Sequence, residues 1–271
     1  VSIVITGATG KLGLLIIERL LEQVPAQQIV ACVRRLDAGK PYEAQGIEVR
    51  YCDYDRPESL AAAFAGASRL LMISSPHHDD TIRLRQHAHV IEAAKQSKVE
   101  HLLYTGFAFP ERGACSPVWM HLATEYAIRA AGMPFTFLRN ALYTDFVQAL
   151  DLPEAIGKGQ LDVAPGDWSF HSVTRRDLAV AIAAVLAAPG EHRNRTYELA
   201  APVAWTFADL AAILSELSGW QVAVQQDSQV RHWIYGFLAR IDTSSTSNDL
   251  THLLGRPVTT LRESVKELLA P

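Results

Sequence analysis

The stretch VITGATGKLGLL, residues 4–15, sets Gly7, Gly10 and Gly13 three apart between a β-branched run and an amphipathic one. Glycines at such a junction let backbone N–H groups approach an anion closely, and the helix that follows presents its positive end to the same anion. Leu12, Leu15, Ile16 and Leu20 recur at the 3.6-residue period, so the helix starting after Gly10 has one face to bury. A strand, a glycine turn and a helix in this order predict a parallel α/β sheet with a dinucleotide's diphosphate at the turn.

The rest of the first half repeats the pattern. Strands are expected at Ser2–Thr6, Gln28–Arg34, Ile47–Cys52, Arg69–Ser74, His101–Thr105 and Pro134–Arg139, with helical segments filling most of the gaps. The fold class is therefore α/β, a Rossmann-type doubly wound parallel sheet. Asp55 with Glu58, and Thr174 with Asp177, have the spacing of capping boxes before helices through Phe64 and over Leu178–Ala187. After Asn140 the pattern loosens at Gly157, Gly159, Pro165 and Gly166, and helices resume at Thr206–Leu217 and Thr260–Leu269. This divides the chain into a cofactor-binding Rossmann domain, 1–141, and a smaller C-terminal α/β substrate lobe, 142–271, some of whose segments return to the Rossmann core.

With 271 residues, 49% of them apolar, the chain can bury a large core. A net charge of −4 gives no basic footprint, which argues against nucleic acid and anionic membrane as partners. Cys32, Cys52 and Cys115 lack the close pairing of a metal or dithiol site and read as packing residues of a reducing compartment. The opening run Val1–Ile5 has no basic segment before it, and the apolar stretch at Leu178–Ala188 is far shorter than the roughly 20 residues of a membrane span. A cytoplasmic protein is expected.

Site residues follow from the ends of the strands, where open α/β sheets bind ligands. An NAD-selective site places an acid at the end of the second strand, but this chain has Arg34 and Arg35 there. Both suit a ribose 2'-phosphate or a solvated strand end, which points to NADP(H). Asp53 can accept from the adenine amino group or close a turn, with Tyr54 beside the ring. Ser74, Ser75, Pro76, Thr105 and Gly106 should line the nicotinamide half. His77 either projects into the cleft or is solvated, whereas His87 and His89, two apart on a helix, face different ways and make a shared metal unexpected.

The segments ITGATGKLG, EVRYCDYDRPESL, HLATEYAIRAAGMPFTFLRNALYTDF, SVTRRDLA, WTFADLAAILSELSG and TSNDLTHLLG span nearly the whole chain. In them the sequence resembles the NmrA-like group of atypical short-chain dehydrogenases, in particular its branch of triphenylmethane reductases and NAD(P)H:quinone oxidoreductases. The resemblance implies that Gly7, Thr9, Gly10, Lys11, Leu12, Gly13, Arg34, Ser74, Ser75, Thr105 and Asn140 lie near NADP(H). It implies a substrate wall drawn from His77, Phe107, Tyr143, Phe146, Trp168, Phe170 and Trp233, of which about half should line the cleft, such residues being as readily core as pocket. Where short-chain reductases carry YxxxK this chain has Leu122 and Tyr126, and Tyr126 stands where quinone-reducing relatives usually have lysine. His77, Tyr126 and Asn140 are then positioning candidates rather than acids. Between Gln226 and Ser244 the chain is shorter than these relatives.

The expected function is an NADPH-dependent reductase passing hydride to a small aromatic electrophile, a cationic triphenylmethane dye or a quinone. The alternative is an NADP(H)-binding redox sensor without turnover. A monomer or homodimer fits either.

Overall fold

The computed structural model describes residues 2–270. Strands β1 (Ile3–Ile5), β2 (Ile29–Val33), β3 (Glu48–Tyr51), β4 (Arg69–Met72), β5 (His101–Phe107) and β6 (Phe135–Asn140) alternate with helices α1 (Lys11–Leu21), α2 (Lys40–Glu43), α3 (Glu58–Phe64), α4 (Asp80–Gln96) and α5 (Ser116–Ala131). The second half holds α6 (Leu152–Lys158), β7 (Gln160–Val163), β8 (Ser169–Phe170), α7 (Arg175–Ala187), β9 (Arg195–Leu199), β10 (Trp205–Thr206), α8 (Phe207–Ser218), β11 (Ala223–Gln226), α9 (Trp233–Leu238), α10 (Asp249–Leu254) and α11 (Leu261–Leu268).

Seven strands form one sheet in the order β3-β2-β1-β4-β5-β6-β9, every pair parallel. All six strands expected from the sequence are present within a residue or two of their expected ends. The β-branched runs explain this, because strands buried on both faces need apolar side chains at every position. Along β1, Ile3 and Ile5 face one layer while Val4 faces the other. The first layer packs α1, α7 and α10 on the sheet through Ile16, Ile17, Leu20, Ile182, Leu186 and Leu250. The second packs α3, α4 and α5 through Leu60, Phe64, Val90, Ala94 and Ile128. Each such Leu or Ile contributes about 1.5–3 kcal/mol of transfer free energy.

The strand order reverses between β1 and β4, and there the helices leave to opposite faces, opening a crevice at the carboxyl edge. The chain after Asn140 contributes to both bodies. It sends α7, β9 and α10 to the large sheet, and builds a separate cluster from β7 with β11, β8 with β10, α6, α8, α9 and α11.

Two caps differ from expectation. Helix α3 begins at Glu58 behind Pro57 with no side-chain cap, because Asp55 is instead held by the Gln86 amide, its Oδ1 accepting from Nε2 at 2.9 Å. Before α7, Thr174 accepts from the Asp177 N–H, but the Asp177 carboxylate turns inward to Arg256 Nη2 and the Thr259 N–H, both at 2.7 Å. Only half of that box exists. Complete boxes form at Thr206 with Asp209 and at Thr260 with Glu263. The three cysteines are free and buried. Among the described residues no helix is long and apolar enough to cross a membrane.

Candidate functional site

Thirteen residues picked out from the sequence meet in one cleft of about 450 Å³ above the β1–β4 crevice: Gly7, Thr9, Gly10, Lys11, Leu12, Gly13, Arg34, Asp53, Tyr54, Ser74, Ser75, Pro76 and Tyr143. The glycine turn is tight. Gly7 adopts φ +62°, and a Cβ on Gly13 would stand 2.3 Å from the Gly7 carbonyl oxygen. Helix α1 has no acidic residue in its first turn and no side-chain cap, so its first N–H groups and positive end face the cleft uncompensated. Lys11 adds a full charge at the same place. A cradle of backbone N–H groups, facing a positive helix end, suits a diphosphate.

At the other end of the cleft, Arg34 is exposed at the end of β2, while Arg35 lies 4.0 Å from Asp37. Asp53 spends one carboxylate oxygen on its own turn, accepting from the Asp55 N–H at 3.0 Å. The Tyr54 hydroxyl is turned inward, 2.5 Å from Thr6 Oγ1 and 3.0 Å from the Ile73 carbonyl. Burial holds its phenol protonated well above the ordinary value. Tyr54 thus offers its ring, not its hydroxyl, to the cleft.

The floor below Ser74 and Ser75 is fixed by Thr105, which the sequence singled out, and by Gln86, His87 and Thr124, which it did not read as site residues. The Ser74 N–H donates to Thr105 Oγ1 at 3.0 Å, which places Thr105 beneath the loop and not in the cleft. Ser75 bonds its hydroxyl to the Gln86 amide and donates its N–H to His87 Nε2 at 2.9 Å. With Nε2 accepting, the neutral ring carries its proton on Nδ1, which faces Thr124 Oγ1 at 2.9 Å, and Thr124 donates onward to the Met120 carbonyl. Burial, with Arg83 nearby, lowers the His87 pKa to about 3, so this relay stays neutral. His121 is likewise held neutral by burial, its Nδ1 2.7 Å from the Tyr104 hydroxyl.

A second unpredicted group lies under the end of β6. Arg139 reaches Glu125 with Nε and Nη2 at 2.8 and 2.7 Å, Glu111 with Nη2 and Nη1 at 2.8 and 3.1 Å, and Glu198 with Nη1 at 2.7 Å. Burial raises the Glu198 pKa against the pull of Arg139 and of the Phe109 N–H, which donates to it at 2.8 Å. The hub joins α5, β6 and β9, and it holds Phe109 in the left-handed region at φ 49°. For an aromatic residue that conformation costs roughly 1–2 kcal/mol. The signal was present as single charges on otherwise apolar faces, Glu125 on α5 and Arg139 in β6. Gly106 belongs to the same floor, since a Cβ there would lie 3.4 Å from Glu125 Oε1.

Several expected positions lie elsewhere. Tyr126 is 67% exposed, because it is one residue, or 100° of helix, past buried Glu125 on α5. His77 is exposed, its Nδ1 accepting from the Asp79 N–H at 3.0 Å. Phe170 is fully buried among Phe146, Trp205 and Phe207, so it is core and not wall. Trp168 packs on Phe170 and Tyr235, with its indole N–H donating to the Ala164 carbonyl at 2.8 Å. Trp233 is 71% exposed beside His232 at the start of α9. Phe107 is half-buried against His121 and Phe237. Asn140 is buried and lies outside the cleft lining, and its Oδ1 has no hydrogen-bond partner among the described residues. Arg175 lines the cleft and was not anticipated.

The NAD(P)H-binding family profile matches residues 7–189. The chain is 37% identical to quinone oxidoreductase 2 of Escherichia coli over 284 aligned residues, covering 98% of each. It is 31% identical to an NmrA-like family domain-containing oxidoreductase of Aspergillus flavus, over 82% of this chain and 73% of that one. The structure of Citrobacter sp. triphenylmethane reductase complexed with NADP(H) superposes with a TM-score of 0.92 at 45% identity, covering 99% of this chain and 100% of that one.

Proposed function

The chain belongs to the NAD(P)H-binding, NmrA-like family of atypical short-chain dehydrogenases and is an NADP(H)-dependent oxidoreductase, and on that premise we propose that its substrate is a small aromatic electrophile, a cationic triphenylmethane dye or a quinone. The observation that carries this reading is the state of α5. At the positions where short-chain reductases hold their acid, Leu122 is half-buried hydrocarbon and Tyr126 points into solvent. A reaction that needs no enzymic acid in its hydride step fits such a site.

When bound, NADPH supplies the hydride. The chain's part is to bind, orient and exclude water. In this reading the glycine turn and Lys11 hold the diphosphate, Arg34 holds the 2'-phosphate, and the Ser74–Ser75 loop, braced by Thr105, Gln86 and His87, seats the nicotinamide. Asn140 is buried at the end of β6 and does not itself line the cleft, so in this reading it supports the floor rather than touching the cofactor. Tyr143 offers a ring face at the cleft wall, and burial keeps its phenol protonated above the ordinary range. Fixing donor and acceptor carbons about 3–3.5 Å apart supplies much of the rate acceleration. Hydride neutralises a carbocationic dye outright, while a quinone yields a hydroquinone anion that water protonates afterwards.

Deuterium on the cofactor should therefore appear at the central carbon of the dye, and single-turnover hydride transfer should show no solvent isotope effect. A solvent effect above about two-fold on that step, with a bell-shaped pH profile, would establish an enzymic acid and sink the reading.

A further inference from the structure

Two helices begin at the cleft, and each begins with a cation. Helix α1 runs from the carboxyl end of β1 to the foot of β2, and α7 runs alongside it from the carboxyl edge to the foot of β9, so both direct their positive ends at the same crevice. Lys11 is the first residue of α1 and Arg175 the first of α7, and both line the cleft. A cation at a helix N-terminus opposes the dipole, and acids are the residues usually favoured there. Neither helix answers it with an acid facing the cleft: α1 has none in its first turn, and the Asp177 carboxylate of α7 is turned away to Arg256 and Thr259. The guanidinium of Arg175 sits over the Tyr143 ring, its Cζ 4.0 Å from the ring centre, and is paired with Asp145.

We propose that Arg175 is a second clamp on the cofactor's diphosphate, closing on it from α7 opposite the glycine turn and Lys11, and that Asp145 holds the guanidinium in reserve until the cofactor arrives. The ligand chemistry is a doubly charged diphosphate, which a planar guanidinium binds through two parallel N–H donors. Exchange of the Asp145 carboxylate for a phosphate keeps Arg175 paired in both states, and no covalent step is involved. Asp145 and Tyr143 both belong to the segment that follows β6, so the ion pair ties α7 to the chain that forms the cleft wall. The proposal rests on NADP(H) as cofactor and is independent of which aromatic substrate is reduced.

Calorimetric titration of the purified protein with NADPH, NADH and adenosine 2'-monophosphate tests it, the last lacking a diphosphate. Arg175→Gln should raise the dissociation constants for both dinucleotides by about 10- to 100-fold. It should leave adenosine 2'-monophosphate within about two-fold, which also shows that the variant is folded, and Arg175→Lys should recover part of the loss. Asp145→Asn should tighten both dinucleotides by about three-fold, since it removes the competitor for the guanidinium. A purely structural ion pair predicts the opposite, with Asp145→Asn weakening binding as Arg175→Gln does. That result overturns the clamp, as do unchanged dinucleotide affinity in Arg175→Gln and an equal loss for adenosine 2'-monophosphate. If the unaltered protein fails to bind NADPH, the cofactor assignment falls and the clamp with it.

Discussion

Arg34 follows β2 directly and is exposed at the rim of the cleft, where an acid would bind ribose hydroxyls instead. Arg34→Ala should weaken NADPH by about 1.5–3 kcal/mol and leave NADH nearly unchanged, as read from the two dissociation constants. Equal losses would mean that the 2'-phosphate is held elsewhere. Glu125 poses a different problem, because it and Arg139 are almost completely buried, at 3% and 9% side-chain exposure. Removing one partner of such a pair strands the other, and Glu125→Ala should cost roughly 3 kcal/mol in a denaturant titration, the lower end of the range because Glu111 and Glu198 remain. At this scale the sequence was informative only where a residue's type already implied a partner. Glycines before a helix and arginines at a strand end did so. Tyr126 did not, because family position says which residue stands on α5 but not which way the helix is turned.

At the scale of elements, the junction of β1 and α1 is the most constrained. Gly13→Ala would put its Cβ 2.3 Å from the Gly7 carbonyl, so the turn must open before the helix can start. A loss of about 1–3 kcal/mol in stability is expected from overpacking, together with at least ~10-fold weaker NADPH binding measured by calorimetry. Wild-type affinity in Gly13→Ala would show that the turn is not the diphosphate cradle. The same junction was legible in the sequence because its strand, turn and helix agree with one another. The lobe was not legible in the same way. Its strands β8 and β10 have two residues each, too few for any period, and their pairing rests on Phe170 and Trp205 meeting across chain separated by 35 positions. Asp55 misled for a related reason, since the spacing to Glu58 is that of a cap but Gln86, 31 residues away, competes for the carboxylate.

Across the whole molecule, the buried histidines set an acid limit. Burial depresses His87 to about 3 and His101 to about 4, and lowers His121 and His171 as well. In the unfolded chain these rings titrate near 6.5, so between roughly pH 6.5 and 4 the unfolded state binds the extra protons. Their contribution to stability is complete above about pH 6.5 and is lost as pH falls, by about 1.4 kcal/mol per pH unit for each ring until its folded pKa is reached. Melting temperature should therefore drop steeply from pH 6.5 to 4.5, and His87→Gln should flatten that slope. A slope unaltered in the variant would assign the acid limit to the carboxylates.

The large sheet also has a schedule. Strand β6 ends at Asn140, yet the strand that covers its open edge, β9, ends at Leu199, and α10, which packs behind it, ends at Leu254. On a ribosome adding about 5–20 residues per second, the edge of β6 waits roughly 3–12 s for its neighbour and the finished flank comes several seconds later. During that interval Arg139 has Glu111 and Glu125 but not Glu198, and an apolar edge is open to another nascent chain. The parallel strand that completes the sheet is thus a timing hazard as well as a structural closure, and the crowding of polysomes becomes a variable in how much of this protein a cell obtains.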